Sequence, residues 1–434
     1  MRRRGVPPAA LPFRGRSLYY GWIQVVVLGI TETTSWGIVY YAYSVLVVPM
    51  QAELGWSRSA VTGAFSLALV VSALAAVPVG RWIDRHGARA LMTVGSALSV
   101  LLLLGWAAVG DLASFYALWA AIGVAQAMVL YEPSFAVVAA WFQRRRGQAL
   151  TVLTTMASFA STIFLPLTAW LVAEQGWRGA LVTLALLLGV VTVPLHALAL
   201  RRRPEDMGLR PDGEPLDAES APSAAAEPSL GVAAALRGRE FWWLAGAFSL
   251  GTLVVIGQNV HFVPYLVGVG YDPGLAAAAA GLIGAMKAPA RVVIGPLTDR
   301  LSVRAMTALL FALQTLALVL LLVVPGQPGV WAFAVVFGAA IGAMTTARPA
   351  LLAEIYGRAN YATISGAMTA SGVVARALAP LGIGAAYDLL GTYLPIWSAL
   401  AAFSLLGAAV VLAAARGRAA PAAEPTLPAR AGTR

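Results

Sequence analysis

Two charged turns in this chain are near copies of each other. Gly80-Arg81-Trp82-Ile83-Asp84-Arg85-His86-Gly87-Ala88-Arg89 and Gly295-Pro296-Leu297-Thr298-Asp299-Arg300-Leu301-Ser302-Val303-Arg304 both read G-x-x-x-D-R-x-x-x-R, and matching positions lie 215 residues apart. Each copy follows the second long apolar stretch of its half. Charges this dense do not belong in hydrocarbon, and a duplicated turn belongs at the same level in both repeats. The chain is therefore constrained to two repeats of membrane-crossing segments with both turns on one side, the layout of a two-bundle secondary transporter.

Composition narrows the choice. Hydrophobic residues make up 59% of the chain, charged residues 11%, and mean hydropathy is +0.77. A soluble domain carries about a quarter charged residues, so these charges are too few to clothe soluble surfaces. The net charge of +11 does not point to nucleic acid, because the arginines sit in short clusters between apolar stretches. The absence of cysteine excludes disulfides, thiolate metal sites and thiol catalysis. No His/Glu/Asp spacing suggests a metal, and no cofactor is expected. The first apolar stretch is too long for a cleaved leader and is expected to be retained.

A membrane span needs about 20 mostly apolar residues. Twelve stretches qualify: 19–48, 58–80, 90–109, 112–140, 147–172, 178–200, 240–269, 273–297, 303–324, 328–353, 360–386 and 391–415. Helices are expected, because lipid leaves an open strand edge unsatisfied. Pro133, Pro166, Pro289 and Pro380 mark expected kinks. One set of loops carries Arg2–Arg4, Arg81–Arg89, Arg144–Arg146, Arg201–Arg203, Arg300–Arg304, Arg358 and Arg416–Arg418; the other is acidic or sparsely charged. The arginine-rich set is expected to be cytoplasmic, with both termini inside the cell and the protein in the plasma membrane. The domains are then a cytoplasmic segment 1–18, a six-helix bundle 19–200, a cytoplasmic linker 201–239, a second bundle 240–415 and a disordered tail 416–434. Gly231–Glu240 is expected to form a short surface helix.

The duplicated turns, each between spans two and three of a six-span half, resemble the signature loop of the major facilitator superfamily over residues 19–415. Trp141-Phe142-Gln143-Arg144-Arg145-Arg146 and Arg203-Pro204-Glu205-Asp206-Met207-Gly208 are similar to segments of its monocarboxylate porters and the oxalate/formate antiporter-like group. Arg291 matches the position of that group's substrate-binding arginine. The chain departs from the group at Tyr20-Gly21-Trp22, where animal porters carry an acidic, glycine-rich segment. It has Lys287 where they carry an aspartate, and its nearest basic group in span eleven is Arg376. The resemblance implies an all-α membrane protein of twelve helices in two pseudo-symmetric six-helix bundles. It also implies that Gly80, Asp84, Arg85 and Arg89, with Gly295, Asp299, Arg300 and Arg304, are gate parts. Asp84 would reach the start of span eleven near Asn360, and Asp299 the start of span five.

Ionisable groups inside spans are costly and so are the functional candidates. Lys287 and Arg291 lie one turn apart in span eight, with Arg376 in span eleven and Arg348 in span ten. They suggest an anion site, since a guanidinium offers a planar fork to a carboxylate; the alternative is internal pairing, Arg348 with Glu354 for one. Glu32 in span one and Glu132 in span four supply the opposite sign. A carboxyl in a low-dielectric cavity can hold a proton at ordinary pH, and it can equally pair with a basic group across the cavity. Gln258, Asn259 and His261 suggest a polar cavity face on span seven, with His261 as a proton site or a helix-to-helix bond. Trp36, Tyr40 and Tyr43 follow helical spacing on one face, where Tyr40 or Tyr43 is a candidate to line the cavity and Tyr40 a candidate for substrate contact. His196 is expected at the interface.

These readings converge on a non-enzymatic secondary transporter for a small organic anion, a monocarboxylate or dicarboxylate, working as a monomer in the bilayer with protons as the coupled ion or, as a variant, by anion exchange. The alternatives are efflux of a bulky or drug-like compound and a transport-inactive membrane receptor or sensor.

Overall fold

The computed structural model describes residues 10–13, 16–213, 229–297 and 300–414. The tail from 416, the middle of the linker and Asp299 lie outside them. Nine helical segments among these residues are long and apolar enough to cross a membrane. One of them, Arg146–Ala199, is 54 residues long and holds two passes, because Gly176 takes a left-handed turn (φ 69°) that breaks the helix. Pro273–Leu297 and the pair Tyr361–Ser371 and Val373–Leu390 complete the expected set of twelve spans. Six precede the linker and six follow it. A short hairpin, Ala10–Phe13 with Arg16–Tyr19, leads into span one.

The spans have their apolar side turned outward. Leu74, Val190 and Leu389 are 57%, 74% and 87% exposed, which water would penalise and lipid tails accept. Turns close the helix ends with side chains from their own loops. Ser57 accepts from the Ala60 amide at 3.2 Å and Asp111 from the Ser114 amide at 2.9 Å. On the same side, Glu53 binds Arg178 and the Trp177 indole, at 2.9 and 2.6 Å. Arg178, then Trp177, hold its exposed carboxyl below the usual carboxylate range.

Four spans are broken, and only one break coincides with a proline. Span four bends at Leu130, just before Tyr131–Trp141, where Pro133 lacks a donor and crowds the preceding turn. Span five breaks at Ser158 and Phe159 and span eleven at Gly372, whereas the helices holding Pro166, Pro289 and Pro380 run on through them. In span five Thr151, Thr154 and Ser158 donate to backbone carbonyls of their own turns, a pattern that bends helices. Span one passes through a π-helical turn, Trp36–Tyr41, between Tyr20–Ser35 and Ala42–Leu54. The wider turn shifts the register. Trp36 and Tyr40 stay together while Tyr43 enters the core, its hydroxyl on the Val61 carbonyl at 2.9 Å.

The core is shared on one side only. On the arginine-rich side a single cluster joins Leu28, Ile83, Trp141 and Leu150 of the first half to Phe241, Leu351, Tyr356 and Ile364 of the second. On the other side each half packs alone, around Trp106 and Trp119 or around Phe333 and Trp397. The shared side depends on close helix crossing. A Cβ added at Gly80 would lie 2.2 Å from the Ala362 carbonyl oxygen, and one at Gly366 2.3 Å from that of Ala76. Gly80→Val is therefore expected to force spans two and eleven apart. Spin labels on Arg81→Cys and Leu301→Cys, in a chain with no native cysteine, should report a longer distance; an unchanged distance would mean that the crossing tolerates a side chain.

Candidate functional site

The two halves enclose a cavity of about 930 Å³. Its first wall comes from spans one, two and four, through Trp36, Tyr40, Phe65, Gln126, Tyr131 and Glu132. Its second comes from spans seven, nine, ten and eleven, through Phe248, Thr252, Gln314, Thr345, Arg348, Thr369 and Arg376. The shared core closes it on the arginine-rich side, so it opens toward the opposite face.

Its floor is a polar clamp between the halves. Glu132 sits in the first turn after the break in span four and accepts from Ser365 at 2.6 Å and Thr369 at 2.7 Å. Arg348 approaches the same carboxylate at 3.5 Å and donates to the Thr369 hydroxyl at 2.8 Å. Thr369 thus accepts from the guanidinium and donates to the carboxylate. Arg348 pairs with Glu132 and not with Glu354, which is exposed, because the break at Leu130 swings Glu132 toward the second half.

Arg376 faces the cavity, one turn past the break at Gly372. Its guanidinium has no hydrogen bond or ion pair among the described residues, and its electrostatic neighbours are Arg348, Glu132 and Tyr40. Arg291 and Lys287 are absent from the described lining. Arg291 is 6% exposed and fastens three helices: its Nε donates to Thr345 at 3.0 Å and to the Gly342 carbonyl at 3.2 Å, and its Nη1 donates to the Thr154 carbonyl at 2.9 Å. The last bond crosses between halves, as does Thr151 to the Arg291 carbonyl at 3.3 Å. Lys287 is half-buried and pairs with no described carboxylate; its backbone lies against Gly342, where a Cβ would meet the Lys287 carbonyl oxygen at 2.4 Å.

Glu32 is fully buried. The Ser134 hydroxyl donates to its Oε1 at 2.5 Å, and its Oε2 has no hydrogen-bond partner among the described residues. No described cation pairs with it, so the expected basic partner across the cavity is missing. An ionised carboxylate without one would cost several kcal/mol there.

Gln258, Asn259 and His261 do not line the cavity. Gln258 is buried, Asn259 is exposed, and His261 meets the Tyr393 hydroxyl at 3.2 Å. Span seven meets the cavity over the two turns before them, at Ser249, Thr252, Val255 and Ile256. His196 is not interfacial: it is fully buried, with Ser96 at 3.0 Å from its Nδ1.

The charged turns lie on the closed side. Asp84 accepts from the backbone amides of Ala362 and Thr363 at 3.0 and 2.8 Å, capping the first turn of span eleven from the other half, where a helix N-terminus favours an anion. Arg85 is exposed, and its carbonyl accepts from Arg202. Arg89 donates to the Ala197 carbonyl at 2.7 Å. In the second copy Gly295 falls in the last turns of Pro273–Leu297, Arg300 is exposed and Arg304 pairs with Glu240 at 3.1 Å. The linker adds further fastenings. Asp212 accepts from the amides of Gln143, Arg144 and Arg145, Glu205 pairs with Arg358 at 2.5 Å, and the Leu230 amide donates to the Tyr356 carbonyl at 3.1 Å. The short helix expected near 231–240 is Val232–Arg237.

Sequence reading missed Ser365 and Thr369, although two hydroxyls four residues apart in an apolar span mark one helical face. It also missed Tyr131 and Ser134, whose signal was their place around Pro133.

Known proteins share this architecture. The chain is 31% identical over 302 residues to monocarboxylate transporter 11 of Mus musculus, covering 68% of this chain and 62% of that protein. It is 24% identical over 398 residues to monocarboxylate transporter 13 of Bos taurus, covering 91% and 89%. The crystal structure of the transporter FucP in the outward conformation matches with a TM-score of 0.67 at 15% identity, over 93% of this chain and 100% of that one; at that identity the likeness concerns the fold. Residues 28–380 match the family model of the Major Facilitator Superfamily. That match takes in both charged turns and both walls of the cavity, and the chain belongs to the Major Facilitator Superfamily.

Proposed function

We propose that this transporter moves a small organic anion, a carboxylate, by alternating access, with Arg376 as its receptor in the present state. The observation that carries the reading is an unpaired guanidinium on the wall of a cavity open to one side. Its planar fork suits a carboxylate, and relatives named as monocarboxylate transporters support that class. The positive-inside rule supports a cytoplasmic arginine-rich face, termini and linker, and the plasma membrane is the proposed location. The cavity is then outward-open. The halves 19–200 and 240–415 rock about it within one monomer. Parting them on the cytoplasmic side breaks the Arg291–Thr154 bond, and Arg291 becomes a second guanidinium for the anion, with Lys287 one turn away.

Protons are the proposed coupled ion. Glu32, buried without a cation, suits a proton carrier. Glu132 suits the coupling step, because its protonation weakens the pair with Arg348 and frees a charge beside the anion site. Uptake into proteoliposomes, across a set of carboxylates with and without a pH gradient, tests the function. Accumulation driven by an alkaline interior is expected; no uptake of any carboxylate would favour export of another cargo or a receptor. In the same assay Glu32→Gln and Glu132→Gln should each keep exchange and lose proton-driven accumulation. A variant that still accumulates substrate on a pH difference alone is not the coupling site. If both do, His261 is tested next.

A further inference from the structure

The cavity's charge balance and its walls restrict the cargo further. Three of its described lining residues are charged: Glu132, Arg348 and Arg376. Glu132 and Arg348 neutralise each other at 3.5 Å, which leaves Arg376 as the uncompensated charge among the described lining. While Glu132 holds Arg348, a second carboxylate on the cargo would enter a low-dielectric space with no free cation among the described lining to meet it. The walls are aromatic. Trp36 and Tyr40 meet edge to face at 4.9 Å and Tyr40 and Phe65 at 5.2 Å, and Trp36 lies tilted against Tyr131 at 5.0 Å. On the opposite wall Phe248 lies 5.9 Å from Phe311. Tyr40 is in electrostatic range of Arg376, so the ring cluster reaches the charge. A two- or three-carbon acid held at Arg376 would leave these rings in water, whereas an aryl group would cover them.

We propose that the cargo is an amphipathic aromatic monocarboxylate. Its carboxylate pairs with Arg376, and its ring packs against Trp36, Tyr40 and Phe65 on the first half and turns toward Phe248 on the second. A ligand that touches both halves gains contacts as they close, and that differential affinity drives occlusion. The proposal rests on the anion-transport reading above and narrows it.

The test is calorimetric titration of the purified full chain with acetate, lactate, succinate, indole-3-acetate and neutral indole. Indole-3-acetate should bind at least about tenfold more tightly than acetate or lactate, and succinate no more tightly than acetate. Neutral indole should bind at least about tenfold more weakly than indole-3-acetate. Tyr40→Ala should reduce the ratio of indole-3-acetate to acetate affinity about threefold or more. Acetate or lactate binding as tightly as indole-3-acetate, or succinate binding more tightly than either, overturns the aromatic monocarboxylate and leaves the anion site standing. Indole binding as tightly as indole-3-acetate, or no acid binding at all, overturns the anion reading itself.

Discussion

Arg376→Gln is expected to remove anion binding almost entirely. A carboxylate brought into the cavity exchanges its water for a charge-assisted, two-point contact. Removing one partner of such a pair costs about 2–5 kcal/mol, or roughly 30-fold to several-thousand-fold in affinity. Glutamine can still donate one hydrogen bond but leaves the carboxylate's charge uncompensated. Arg376→Lys should recover part of the loss, since the charge returns without the planar fork. The variant is expected to fold, because Arg376 faces the cavity and holds no described neighbour by a hydrogen bond. Titration with a carboxylate measures the effect. An unchanged affinity in Arg376→Gln, together with a loss in Arg291→Gln, would move the receptor to span eight and make Arg291 the first contact.

Asp84→Asn is expected to shift the protein out of the state in which the arginine-rich side is closed. Asp84 caps two backbone amides at the start of span eleven, and both bonds cross between the halves. Asparagine keeps one acceptor and loses the charge that the helix N-terminus favours. One amide is left without its partner, at about 1–3 kcal/mol, which corresponds to roughly 5- to 150-fold in a conformational equilibrium. Spin labels at Arg81→Cys and Leu301→Cys read the result as a growing long-distance population, and transport should slow because the closed gate no longer re-forms efficiently. The cavity wall is untouched, so binding of a carboxylate to the outward-open fraction should persist. Equal distance distributions and equal transport rates in mutant and parent would remove Asp84 from the gate.

Arg291 shows where sequence reasoning ran out. Burial cost marked it as functional together with Lys287 and Arg376, but that cost does not say which group meets a ligand and which meets a carbonyl. The choice depends on whether the facing helix presents a carbonyl with a lone pair to spare. Span five does at Thr154, whose carbonyl accepts from the Ser158 amide at 3.1 Å and from Arg291 at 2.9 Å, just before a break that follows from side chains competing for backbone bonds. Glu32 and Glu132 divide in the same way. Both are acidic residues in apolar spans. One is sealed behind Ser134, and the other reaches across the molecule because Pro133 bends its helix. Gln258, Asn259 and His261 were grouped by one turn of helix, yet the cavity meets span seven earlier along its length, at Ser249, Thr252, Val255 and Ile256.

The sequence by itself determined the twelve spans, their division by the linker, the membrane setting and the family. These follow from run length, charge placement and an exact repeat of spacing, which are one-dimensional quantities that hydrocarbon and water read directly. It also pointed to Asp84 at the start of span eleven, through a motif whose geometry travels with it. Only the tertiary structure decided which charges pair, which guanidinium remains open and on which side the halves meet. Those outcomes depend on helix rotation and on breaks at a π-turn, at Leu130, at Ser158 and at Gly372. A shift of one residue in register turns a side chain by about 100°, enough to carry it from a cavity wall to a core or to lipid. No local pattern of apolar residues settles that angle, because in a bilayer both the outer face and the core are apolar.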